Sequence, residues 1–137
     1  MRRIVRAALV LVLGLGLTGV AAGQGALSKR HAAGLVAVTV SLLERPVAGA
    51  SLKVKVGLDT HSMGLDAIRF ETAVLVRAAD GSEQPPSAVE RATGGGHHRE
   101  AVLVFAAPDR SGPVTIVVKD VGGVAMRNFV WEVAAGK

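Results

Sequence analysis

From Leu35 onward the chain reads with a period of two. Leu35 to Leu43 (LVAVTVSLL) is a β-branched apolar run. Leu52, Val54, Val56 and Leu58 alternate with Ser51, Lys53, Lys55 and Gly57, the pattern of a strand with one buried and one wet face. Ile68 to Val76 carries Phe70, Thr72, Val74 and Val76 at alternate positions, with Ala73 and Leu75 available to the other face. Ala101 to Phe105 is a short buried run, and Val114, Ile116 and Val118 alternate again. Met126 to Val133 closes the series, with Phe129, Trp131 and Val133 on one face and Arg127 among them at the edge.

Turn chemistry separates these runs. Arg45-Pro46 to Gly49 divides the first pair, Asp80-Gly81 ends the third, and Pro85-Pro86 keeps the next segment out of a central strand. Pro108 to Gly112 and Gly122-Gly123 mark the last two hairpins. No window carries a helical period and no segment repeats. Six clear strands, with a seventh at Ala88 to Ala92, predict an immunoglobulin-like antiparallel β-sandwich over residues 35–137.

The first 34 residues obey another logic. Met1-Arg2-Arg3-Ile4-Val5-Arg6 is a basic start, Ala7 to Val20 an uncharged apolar stretch, and Val20-Ala21-Ala22 a small-residue cleavage pattern. Residues 1–22 are therefore expected to be an export signal, cut after Ala22, with membrane attachment only if it stays uncut. Residues 23–34, small and polar around Lys29-Arg30-His31, are expected to form an unstructured lead with His31 solvated. The product is expected in the periplasm or outside the cell.

Composition then removes several function classes. The 16 basic residues become 13 once Arg2, Arg3 and Arg6 leave with the signal, against 11 acidic ones. That balance of +2 gives solubility rather than a footprint for nucleic acid. Three Phe, one Trp and no Tyr offer no platform for stacking bases. The absence of Cys excludes disulfides and lipoprotein attachment. Asp59, His61 and Ser62 crowd one loop without the strand-turn-helix elbow that presents a nucleophile. Gly94-Gly95-Gly96 lacks the Lys-Ser/Thr and helix of a phosphate loop. An enzyme is not expected.

Two segments break the plain sandwich pattern. Leu58-Asp59-Thr60-His61-Ser62-Met63-Gly64-Leu65-Asp66 comes after the second predicted strand, and Gly94-Gly95-Gly96-His97-His98-Arg99 precedes the fifth. Antiparallel parity places both at one end of the sandwich, together with Gly122-Gly123 and Met126, provided the segment after Asp80 climbs as a strand. His61, Met63, His97, His98 and Met126 then form a candidate metal site. Imidazole and thioether donors favour copper, and Asp59 and Asp66 are placed to orient the imidazoles. The plainer reading stands beside it: Asp59-Thr60-His61-Ser62 as a polar turn, the His pair as a loop tip, and the methionines as core filler. On that reading the domain contacts another envelope protein, without metal. Arg99 beside Glu100 reads as a charge at a strand edge.

The segments LDTHS (Leu58 to Ser62), GHHR (Gly96 to Arg99) and FVWEV (Phe129 to Val133) together resemble a group of small exported bacterial proteins of uncharacterised function. The resemblance spans nearly the whole expected domain and implies no particular activity. The domain is also broadly similar to copper-handling β-sandwiches such as cupredoxins and periplasmic copper carriers. It departs from cupredoxins in having no Cys for the thiolate ligand, which excludes a blue-copper site. It departs from the carriers in having no His directly after the expected cleavage point.

Overall fold

The structure, a computed structural model, describes residues 25–137. The expected export signal and the first two residues of the expected lead lie outside the described residues. In chain order the elements are β1 (Ser28–His31), β2 (Val36–Leu42), β3 (Leu52–Thr60), α1 (Phe70–Ala73), β4 (Val74–Arg77), β5 (Glu83–Gln84), β6 (Ala88–Gly95), β7 (His98–Phe105), β8 (Gly112–Val121) and β9 (Val124–Val133). They build an immunoglobulin-like sandwich of two antiparallel sheets, ordered β1-β2-β3-β7-β6 and β5-β4-β8-β9.

The period of two decides which side chains lie between the sheets. Val36, Val38, Val40 and Leu42 of β2, and Leu52, Val54, Val56 and Leu58 of β3, point inward. They meet Val114, Ile116 and Val118 of β8 and Phe129, Trp131 and Val133 of β9 across the core. Each such side chain, fully buried, contributes about 1.5–3 kcal/mol.

The strand count exceeds the predicted six to seven, for local reasons. The expected strand from Ile68 begins only at Val74. Phe70 and Val74 are buried while Glu71 and Thr72 are exposed, and that spacing of four suits a helical turn. The Ala73 amide closes the turn on the Arg69 carbonyl at 2.9 Å. β5 has only two residues because Pro85, immediately after it, has no amide to donate.

The expected lead contains a strand. β1 pairs with β2 from Ser28↔Ser41 to His31↔Val38, although no apolar pattern marks it. Side chains from elsewhere secure it. The Trp131 indole donates to the Ala26 carbonyl at 2.9 Å, and Lys29 reaches the Val130 carbonyl while lying 4.8 Å above the Trp131 ring. Arg127, 2% exposed, faces inward among the apolar residues of β9. Its guanidinium donates to the carbonyls of Val121 (2.7 Å), Ala33 (2.7 Å) and Val36 (2.9 Å), and to His31 Nδ1 (3.1 Å). It joins the chain entering β2 to the β8–β9 hairpin. His31 is exposed, as expected, and also accepts a hydrogen bond from Arg127.

Every sheet edge carries a device against open-ended pairing. β1 is short and basic, and β5 shorter still. β6 has a bulge between Glu90 and Thr93, where Arg91 takes a φ of 48°. β9 has the inward Arg127, and its Val130 carbonyl is taken by Lys29.

Candidate functional site

β3 and β7 are neighbours and continue further than the apolar pattern suggested, to Thr60 and back to His98. The segment after Asp80 climbs as β6, so the loop after β3 and the β6–β7 hairpin lie at the same end of the sandwich. They are joined. The Thr60 amide donates to the His97 carbonyl at 3.0 Å, and the Leu65 amide to the Gly96 carbonyl at 2.8 Å. The Asp66 carboxylate receives the Gly96 amide at 3.2 and 3.3 Å. Arg99 Nη1 donates to the carbonyls of Leu65 (2.9 Å) and Ile68 (2.6 Å), with its guanidinium 5.0 Å from the Phe70 ring centre. Leu65 itself is buried.

Glycines shape the hairpin more than they loosen it. Gly96 has a φ of 63° at the first position of the two-residue turn Gly96-His97, as a type II′ turn requires. Gly94 has a φ of 83°, and a Cβ there would lie 2.3 Å from the His98 carbonyl oxygen. The triple glycine is therefore a site of close backbone approach.

The predicted ligands separate into three groups. His61 and His97 are exposed in the two joined loops, and neither ring enters the hydrogen bonds or ion pairs found among the described residues. His98 lies in β7 on the outer face of the five-stranded sheet. Its Nδ1 is 2.5 Å from Asp59 Oδ1 and its Nε2 is 3.8 Å from Glu100 Oε2. Met63 and Met126 have other surroundings. Met63 packs against the core. Met126, 46% exposed, is on the outer face of the other sheet, where Arg77 Nη2 approaches its sulfur at 3.7 Å. Among the described residues no group of three or more His, Asp or Glu side chains stands where it could share one metal ion.

The residues expected to orient the imidazoles also divide. Asp59 does hold an imidazole, that of His98, and hydrogen bonding from it keeps the carboxyl below its ordinary value, with help from Arg30 at 3.6 Å. Asp66 instead serves the Gly96 amide. On the outer face the line continues from Glu100 to Lys55 at 3.1 Å, and Lys53 meets Glu90 at 4.0 Å. These exposed pairs order the face and contribute little to stability.

The contributions of Arg99 and Arg127 were not visible as such in the sequence. Arg99 pins the loop after β3, and Arg127 holds the lead. The sign in the sequence was Arg127's place in an otherwise apolar alternation. A cleft at the opposite end, about 160 Å³, is lined by residues including Val76, Asp80, Pro108, Arg110 and Val133, and holds none of the predicted ligands. No protein-family model, curated protein or solved structure matches the chain.

Proposed function

We propose that this is an exported, non-enzymatic binding domain that makes contact through the rim formed by the two joined loops. One observation carries the reading. The backbone of this rim is fixed by Asp66, Arg99 and the Thr60–His97 bond, while the rings of His61 and His97 stay exposed and uncommitted. A fixed backbone presenting free side chains lowers the ordering cost of binding. The basic, apolar and small-residue sequence of residues 1–22 supports export, and the partner on this reading is another envelope protein.

A second reading, copper bound by imidazoles alone, is favoured by the joining of the loops that carry His61 and His97. Calorimetric titration of the purified chain with Cu(II), and with Cu(I) under reducing conditions, separates the two. The contact reading expects no stoichiometric uptake. It also expects an envelope protein captured by the parent chain and lost from both His61→Ala and His97→Ala. One equivalent of copper, abolished in both variants, would replace it with the metal reading.

A further inference from the structure

His98 and Glu100 stand two apart in β7 and so point to the same side, the outer face of the five-stranded sheet. An ionised carboxylate only accepts, so Asp59 Oδ1, at 2.5 Å, holds the proton of the neutral imidazole on Nδ1. Nε2 then keeps its lone pair and faces Glu100 Oε2 at 3.8 Å, too far for a hydrogen bond. Two ligand atoms on one zinc ion each lie about 2.0–2.2 Å from it, and at the tetrahedral angle about 3.4 Å from each other. The two side chains are thus close to chelating geometry. A carboxylate behind the imidazole is the usual support of a zinc-bound histidine.

One chain supplies two such donors, and a closed zinc site takes four. We propose that two copies of this chain meet across this face and hold one zinc ion between them, each giving His98 Nε2 and Glu100 Oε2. A two-fold axis through the ion lets the same patch serve both copies, and the two carboxylates balance its charge. The ground around the pair is low. Gly57 and Thr93 stand beside Glu100, Gly95 and Asp59 beside His98, and Ala37 beyond Asp59. Gly57 lies inside β3, where an added Cβ would meet nothing within 4 Å, so no contact within the chain requires a glycine there. A glycine inside a strand often marks the close approach of another backbone or a ligand. The charges of the face are matched, Arg30 with Asp59, Lys53 with Glu90 and Lys55 with Glu100, so a second copy meets little repulsion. Lys55, 3.1 Å from Glu100 Oε2, passes to the other carboxylate oxygen when the ion enters. This site lies on a sheet face and does not depend on the contact proposed for the rim.

Sedimentation velocity on the purified chain, first with zinc chloride and then with excess EDTA, tests this, with the zinc content measured alongside. Zinc should double the sedimenting mass at one ion per two chains, and EDTA should reverse the change. His98→Ala, which removes a ligand, and Gly57→Val, which raises a side chain on the face, should both stay at the mass of one chain. His97→Ala, on the rim, should double as the parent does, which separates this site from any copper held by the rim. A parent mass that zinc leaves unchanged would overturn the proposal, whether or not the variants fold. So would a doubled mass that persists in EDTA, or uptake of one zinc per chain without doubling. Doubling that survives in His98→Ala or Gly57→Val, or is lost in His97→Ala, would overturn it as well.

Discussion

A buried arginine without a carboxylate partner is held by the number of its hydrogen bonds. Arg127 has four, three of them to backbone carbonyls. Each abandoned buried acceptor costs about 1–3 kcal/mol. Arg127→Met, similar in length but without donors, is therefore expected to lose about 3 kcal/mol or more in urea denaturation. A loss under about 1 kcal/mol would show that the bonds contribute little. Asp59 is the exposed counterpart. Its folded carboxyl titrates below the unfolded one because His98 and then Arg30 favour the charged form. Its contribution is present above the ordinary Asp value and is lost as pH falls through the lower folded value. Asp59→Asn should cost about 0.5 kcal/mol at pH 7, and the cost should shrink towards nothing as the pH falls from the ordinary Asp value through the lower folded one, measured by denaturation across that range. The alternation through β9 already put Arg127 in phase with Phe129 and Trp131. Its acceptors could not be found that way, because the Ala33 carbonyl lies 94 residues away in sequence.

At the scale of elements, Gly94 and Arg99 hold the hairpin and the loop beside it. Gly94→Ala adds a Cβ that meets the His98 carbonyl at 2.3 Å, whereas Gly49→Ala, also at positive φ, meets nothing within 4 Å. Gly94→Ala should cost about 2 kcal/mol or more and Gly49→Ala about 1 kcal/mol, compared by thermal unfolding. Similar losses would mean that only backbone strain counts. Arg99→Ala frees the Leu65 and Ile68 carbonyls, and exchange of the loop amides should rise by about tenfold while the β2–β3 ladder stays protected. Most strands were legible because inward residues at every second position are set by the pleat. The turn Phe70–Ala73 was not, because Phe70 and Val74 satisfy both a period of two and a spacing of four. β1 was not, because its order comes from Trp131, Arg127 and β2 rather than from its own residues. For the candidate site, parity brought the two histidine loops to one end. It could not show that Met63 turns into the core or that Met126 lies on the far sheet.

For the whole molecule, the edges are the features most exposed to change. The bulge in β6 inserts one residue beyond what β7 can pair, since Glu90–Thr93 spans three steps against two from Val102 to Glu100. Deleting Arg91 should restore regular pairing and leave a flatter edge. Light scattering should then report a higher apparent mass than for the parent chain at equal concentration. An unchanged mass would mean that the bulge is not a guard. The direction of the outer strands has one more consequence. The Leu42 amide donates to the Leu27 carbonyl, and the Ala134 amide to the Pro46 carbonyl, so the described chain begins and finishes at the end opposite His61 and His97. The nine residues of β3 separate the two ends by about 30 Å. Anything joined to either end, whether a tether, a fused domain or a bead, would hold the domain with its histidines pointing away from the attachment.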